Sequence, residues 1–167
     1  MTPKRDKRVG TGSVARVVII MGSASDRPVV ESMFPLLERF ELPYRLEVAS
    51  AHRQPDKLRR LVTRTEKDGC EVYVAVAGMA AHLPGVVASL TNLPVIGVPV
   101  ASSALAGMDA LLSIVQMPPG VPVATVAVGS AGAKNAAVLA ARILALGDAR
   151  VATRLAEYRK DLARGRR

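Results

Sequence analysis

The sequence predicts a three-layer α/β sandwich built on a parallel sheet of about five strands, and three features carry that expectation. Short apolar runs rich in Val and Ile recur at 17–21, 44–49, 72–77, 95–98 and 123–128. Segments of helix length separate them, so that strand and helix alternate, the pattern of βα units joined by right-handed crossovers. Short runs of this composition read as strands buried on both faces, as expected where helices cover both sides of a sheet.

Taken in order, the run at 17–21 leads to a helix at 27–40, in which Pro35 should kink or divide the pattern because its ring cannot sit in a regular helix interior. The run at 44–49 precedes a helix at 55–68 opened by Pro55 and Asp56. Helices at 82–91, 103–116 and 132–147 follow the third, fourth and fifth runs. A last helix at 149–163 carries Arg150, Arg154, Arg159 and Lys160 among apolar positions and should pack on a neighbour or cap the domain.

A chain of 167 residues, half of them apolar, suits one domain with a substantial core. The expected division is a basic N-terminal tail at 1–15, a single domain at 16–163 and a basic C-terminal tail at 164–167. Charge supports it. The net charge is +9, yet residues 1–15 hold four basic and one acidic side chain and residues 150–167 hold seven and two, which leaves 12 against 11 in between. A nearly neutral body with few aromatic side chains and no Trp offers no nucleic-acid face and few platforms for stacked bases. The lone Cys70 excludes an intrachain disulfide and a Cys-based zinc site, and reads as a buried or half-buried thiol ahead of a strand in a reducing compartment. The basic opening MTPKRDKRVGTGS lacks the apolar stretch of a secretory signal, so a cytoplasmic location is expected.

Between Val72 and Ala133 the only formal charge is Asp109. Prolines and glycines cut this tract into pieces mostly shorter than the about 20 residues a spanning helix needs, so it reads as buried strands and small-residue helices rather than membrane. So long an uncharged tract exceeds what a small monomer hides easily, and a homo-oligomer is expected.

Ligands of open parallel sheets bind beyond the carboxyl ends of the strands, which directs attention to the first three loops. The first, Gly22-Ser23-Ala24-Ser25-Asp26 before Pro28, matches neither a dinucleotide fingerprint nor a Walker loop. It does offer hydroxyls, a glycine and a helix start suited to one phosphate, with Asp26 as an acceptor for ribose hydroxyls. Plain helix capping by Ser25 or Asp26 explains the same residues. The second loop, Ser50-Ala51-His52-Arg53-Gln54-Pro55, places a proton carrier beside an anion clamp. The third, from Gly78 to Gly85, is small-residue rich and holds His82, the only other histidine, which equally suits a helix start. Two histidines with scattered carboxylates do not make a catalytic zinc site, and no GxSxG elbow supports a Ser-His-Asp triad from Ser23 or Ser25.

The segments VVIIMGSASD (17–26), EVASAHRQPDKL (47–58), AGMAAHLPGVVAS (77–89), the run from Leu93 to Gly129 and NAAVLAARIL (135–144) together resemble the N5-carboxyaminoimidazole ribonucleotide mutase family of purine biosynthesis, collinearly over about residues 16 to 160. The resemblance implies a flavodoxin-like sandwich, a homo-octamer with sites near subunit junctions, a small nucleotide substrate, and no metal or organic cofactor. It also implies that Ser23, Ser25 and Asp26 hold phosphate and ribose, that the Ser50–Arg53 motif supplies an essential His52 and an anion-binding Arg53, and that His82 and its neighbours contact the imidazole and its carboxyl group. Two positions depart from the family pattern. Met79 stands where a second glycine is usual, and Pro119 where an arginine often provides a salt bridge or subunit contact. The alternatives are a carboxylase of aminoimidazole ribonucleotide using free CO2, whose members lack the AAHLPG form of the third loop, and a non-catalytic nucleotide-binding protein on the same scaffold.

Overall fold

The structure, a computed structural model, describes residues 14–165, so most of the expected N-terminal tail at 1–15 and the last two residues of the expected C-terminal tail at 164–167 lie outside the described residues. Five strands form one all-parallel sheet in the order β2-β1-β3-β4-β5, with β1 Val17–Met21, β2 Tyr44–Val48, β3 Val72–Gly78, β4 Val95–Val100 and β5 Ala124–Thr125. β1 is buried along its whole length, and its alternate side chains supply two cores. Val17, Ile19 and Met21 face α1 (Arg27–Glu31), α2 (Phe34–Arg39), α6 (Gly129–Leu144) and α7 (Ala149–Ala163). Val18 and Ile20 face α3 (Pro55–Lys67), α4 (Leu83–Ala88) and α5 (Met108–Val115).

Each departure from the expected elements has a local cause. The helix expected at 27–40 is divided between Ser32 and Met33, and Pro35 falls in the first turn of α2, where its missing N–H costs nothing. Pro28, Pro55 and Pro84 take the same place in α1, α3 and α4. The expected helix at 103–116 starts only at Met108, because Ala106 (φ 52°) and Gly107 (φ 86°) have left-handed backbone that no α-helix continues through. The fifth strand shrinks from the expected 123–128 to two residues at the sheet edge, held by Val126 N donating to Gly97 O at 3.1 Å. Beyond it the chain turns into α6 so closely that a Cβ on Gly132 would lie 1.6 Å from Ala127 O.

The last helix caps the domain, as its sequence suggests. α7 opens on Asp148, whose side chain accepts from the backbone of Arg150 and Val151 and also from Arg16 Nη1 at 2.7 Å. Ion pairs from Arg39 to Asp161 and from Arg154 to Glu41 fasten its outer side to the α2 region. Cys70 is a buried free thiol just ahead of β3, and burial pushes it up to about 11, so it is inert at neutral pH.

Candidate active site

With the order 2-1-3-4-5, the chain reverses its direction of sheet growth at β1 and β3, and the loops leaving those strands diverge. The resulting crevice at the carboxyl edge is where the three sequence-selected loops converge.

The loop after β1 is a single 3-10 turn, Ala24–Asp26, that runs directly into α1. Its cap is Ser23, not Ser25 or Asp26: Ser23 Oγ accepts from Ser25 N at 3.3 Å and from Ser25 Oγ at 2.8 Å. Asp26 does take the position ahead of α1 but makes no side-chain cap bond there, so the expected capping by Ser25 or Asp26 is corrected: the turn inserted before α1 moves the capping side chain two or three residues earlier. Ser25 stays exposed while the Asp26 carboxyl is buried, at 6% exposure. Desolvation raises the Asp26 pKa above the ordinary carboxylate range, opposed in part by bonds from Ser23 and Ser25.

The loop after β2 is laced to the first. Ala49 N donates to Met21 O at 3.1 Å, and Gln54 N closes the turn onto Ser50 O at 2.9 Å. Ser50 Oγ accepts from Arg53 N at 3.2 Å and lies 3.4 Å from Arg53 Nε, while Arg53 Nη2 reaches Gly22 O at 3.5 Å. Thus Ser50 orients the guanidinium, and the guanidinium spans from the second loop to the first. Lys57 adds a tie that the sequence reading missed, donating to Val48 O at 2.7 Å.

The loop after β3 carries strain. Met79 (φ 56°) and Ala81 (φ 43°) both have left-handed backbone, a conformation costing about 1 kcal/mol or more for a residue with a Cβ, and Met79 is 61% exposed. His82 closes the loop as the residue ahead of α4, whose buried Leu83 and Pro84 anchor it to the core. The two imidazoles meet across the crevice: His52 Nε2 and His82 Nδ1 lie 2.5 Å apart, with ring centroids 4.6 Å apart and planes crossing at 79°. One ring nitrogen donates and the other accepts, so the accepting imidazole is the neutral form.

A fourth loop, unforeseen from sequence, borders the third. Ser102 Oγ sits where a Cβ on Gly78 would come within 1.9 Å, so only glycine fits at the root of the strained loop. The region was read as helix, and the Ala106-Gly107 pair was the available signal of a loop. All seven sequence-selected residues therefore stand on the three loops at this edge, with Ser50 and Arg53 bonded together, Ser23 and Ser25 bonded together, and His52 against His82. Among the described residues no group of three or more His, Cys, Asp or Glu side chains is placed to hold a metal ion.

Fold and site together define a doubly wound, flavodoxin-like α/β protein with hydroxyls, a guanidinium and paired imidazoles at its topological switch point. The chain belongs to the AIR carboxylase family, whose model matches residues 16–165. The N5-carboxyaminoimidazole ribonucleotide mutase of Pyrococcus abyssi (strain GE5 / Orsay) is 54% identical over 149 residues, covering 89% of this chain and 84% of that protein. The protein of the same name from Escherichia coli (strain K12) is 52% identical over 146 residues, covering 87% and 86%. Among solved structures, Treponema denticola PurE superposes with a TM-score of 0.82 at 32% identity, covering 89% of this chain and 92% of that one.

Proposed function

We propose that this chain catalyses the N5-carboxyaminoimidazole ribonucleotide mutase reaction of purine biosynthesis, an isomerisation that moves a carboxylate from the exocyclic amine to carbon 4 of the imidazole, with His52 as the proton carrier. The contact between His52 and His82 across the crevice carries the reading, because it puts a titratable ring over the space between the three loops. Ser23 and Ser25 receive the phosphate, Asp26 accepts from ribose hydroxyls, and Arg53, oriented by Ser50, pairs with an anionic group.

The atoms then balance as follows. The carbamate C–N bond breaks, its electron pair stays on the amine nitrogen, and His52 supplies the proton that neutralises it as CO2 leaves. Carbon 4 of the ring attacks the CO2 to form the new C–C bond, and its proton returns to His52. The loop from Gly78 to His82 keeps CO2 from escaping between the two steps, and His82 contacts the carboxyl group. No cofactor takes part in this scheme.

Incubation with the carbamate-bearing nucleotide, with and without bicarbonate, tests the reading. Conversion without bicarbonate supports a mutase, whereas a strict bicarbonate requirement identifies a carboxylase. Exchange of His52 for Asn should lower turnover about 10²- to 10⁴-fold with the fold intact, and full turnover by H52N removes the role from His52. The finer expectations of a cytoplasmic location and an octamer belong to the same proposal. No helix among the described residues is long and apolar enough to cross a membrane.

A further inference from the structure

We propose that the first two turns of α3 form an electrostatic approach surface that steers the anionic nucleotide onto Arg53, with Arg59 and Arg60 as its working charges. This rests on the nucleotide reading above. α3 begins two residues after Arg53, and its exposed side carries Lys57, Arg59, Arg60, Arg64 and Lys67 against Asp56 and the half-buried Glu66. These cations are not equivalent. Arg64 is compensated by Glu47 at 3.4 Å, and Glu66 is engaged by the Thr91 hydroxyl. Lys57 donates to a carbonyl rather than a carboxylate, and Arg59 and Arg60 have no ion-pair partner among the described residues.

Distance then separates the cations that matter from those that do not. At about 1.5 Å of rise per residue, Arg59 and Arg60 stand about 6 to 8 Å along the axis from Pro55, whereas Arg64 and Lys67 stand about 14 and 18 Å away. The screening length is about 8 Å at physiological ionic strength, so only the first pair acts on an anion at the crevice. Of the acids nearby, Asp56 offsets one charge among Lys57, Arg59 and Arg60, Glu47 is taken by Arg45 and Arg64, and Asp26 is buried. A local excess of positive charge is left on an otherwise nearly neutral body, beside the one guanidinium that spans the first two loops. Such a field raises the local concentration and the association rate of an anion without touching it.

The test compares wild type, the double variant Arg59→Gln/Arg60→Gln and the control Arg64→Gln/Lys67→Gln, with kcat and KM measured from low to high NaCl. At low salt the first variant should lose about three- to tenfold in kcat/KM with kcat unchanged, the difference should close at high salt, and the control should follow wild type. Calorimetric binding of ribose 5-phosphate over the same salt series reads the field without turnover, and wild type should weaken more steeply with salt than the first variant. Parallel salt profiles, or a loss that salt does not erase, overturn the proposal. Wild type that fails to turn over the carbamate nucleotide but keeps the steeper salt dependence overturns the functional reading and leaves this one standing.

Discussion

At the scale of single residues, Asp26 shows how binding chemistry opposes stability. Its carboxyl is buried beside the turn proposed to receive phosphate, and desolvation raises its pKa. Since the folded chain holds this proton more tightly than the unfolded chain, the unfolded chain ionises first as pH rises. Stability therefore falls between the ordinary carboxylate range and the raised value, and stays lower at neutral pH. Asp26→Asn should raise the thermal midpoint at pH 7, and the gain should vanish in acid, where the carboxyl of wild type is also neutral. The same change removes the charged acceptor proposed for the ribose hydroxyls, so KM should rise about ten- to a hundredfold. A variant that is no more stable at pH 7 contradicts the burial cost, and an unchanged KM contradicts the ribose contact. The types and places of Ser23, Asp26, His52, Arg53 and His82 were legible in sequence because each sits within a few residues of a strand end. The cap was not, since hydroxyls at 23 and 25 and a carboxylate at 26 all suit one turn, and only its geometry chooses Ser23.

At the scale of elements, the loop between β3 and α4 is held between two fixed ends. Gly78 still pairs with Val100 of β4, and Leu83 is buried. The four intervening residues include two in left-handed backbone, so a site residue, His82, is delivered by a strained bridge rather than a relaxed turn. Ser102 of the neighbouring loop packs on the root of that bridge. Gly78→Ala should therefore destabilise the chain by about 1–3 kcal/mol through overpacking and displace His82, read as a lower denaturation midpoint together with lower turnover. Adding Ser102→Gly should restore part of both, since the hydroxyl is the nearest clash and the Val100 carbonyl, at 3.0 Å, is the one that stays. No recovery in the double variant separates the two loops. β1, β3 and β4 were legible as apolar runs buried along almost their whole length, whereas β2, read the same way, is an edge strand on which Arg45 and Glu47 alternate with apolar residues and only Tyr44 is fully buried. The short extent of β5 and the start of α5 were not legible, because an edge strand of two residues and a left-handed Ala106 leave no periodic trace.

At the scale of the whole molecule, α5 presents a face that the single chain does not cover. Met108, Leu112 and Val115 recur at spacings of four and three residues, which aligns them on one stripe of the helix, Leu105 is exposed in the loop just ahead of it, and the four exposures run from 51% to 64%. Exposed apolar side chains grouped in this way mark an interaction surface. Asp109, the only charge between Val72 and Ala133, lies in the first turn of the same helix, where Ser103 and the backbone amides of Ala110 and Asp109 hold its carboxyl below the usual range. The occupant that fits an almost uncharged face is the same face on a second copy, because any strongly charged partner would be desolvated against it at a loss. We infer that α5 lies in the interface of the proposed homo-octamer. Leu112→Glu should then shift sedimentation at micromolar concentration toward smaller species, while the half-exposed sheet edge at Arg45, changed to Gln, should leave the assembly as it was. Wild type sedimenting as a monomer removes the oligomer altogether. An L112E protein that keeps the wild-type assembly moves the interface to another face, and where L112E does dissociate, its turnover tells whether the crevice needs a neighbour: activity lost together with assembly places part of the site across the junction, whereas full activity in the smaller species confines it to one chain.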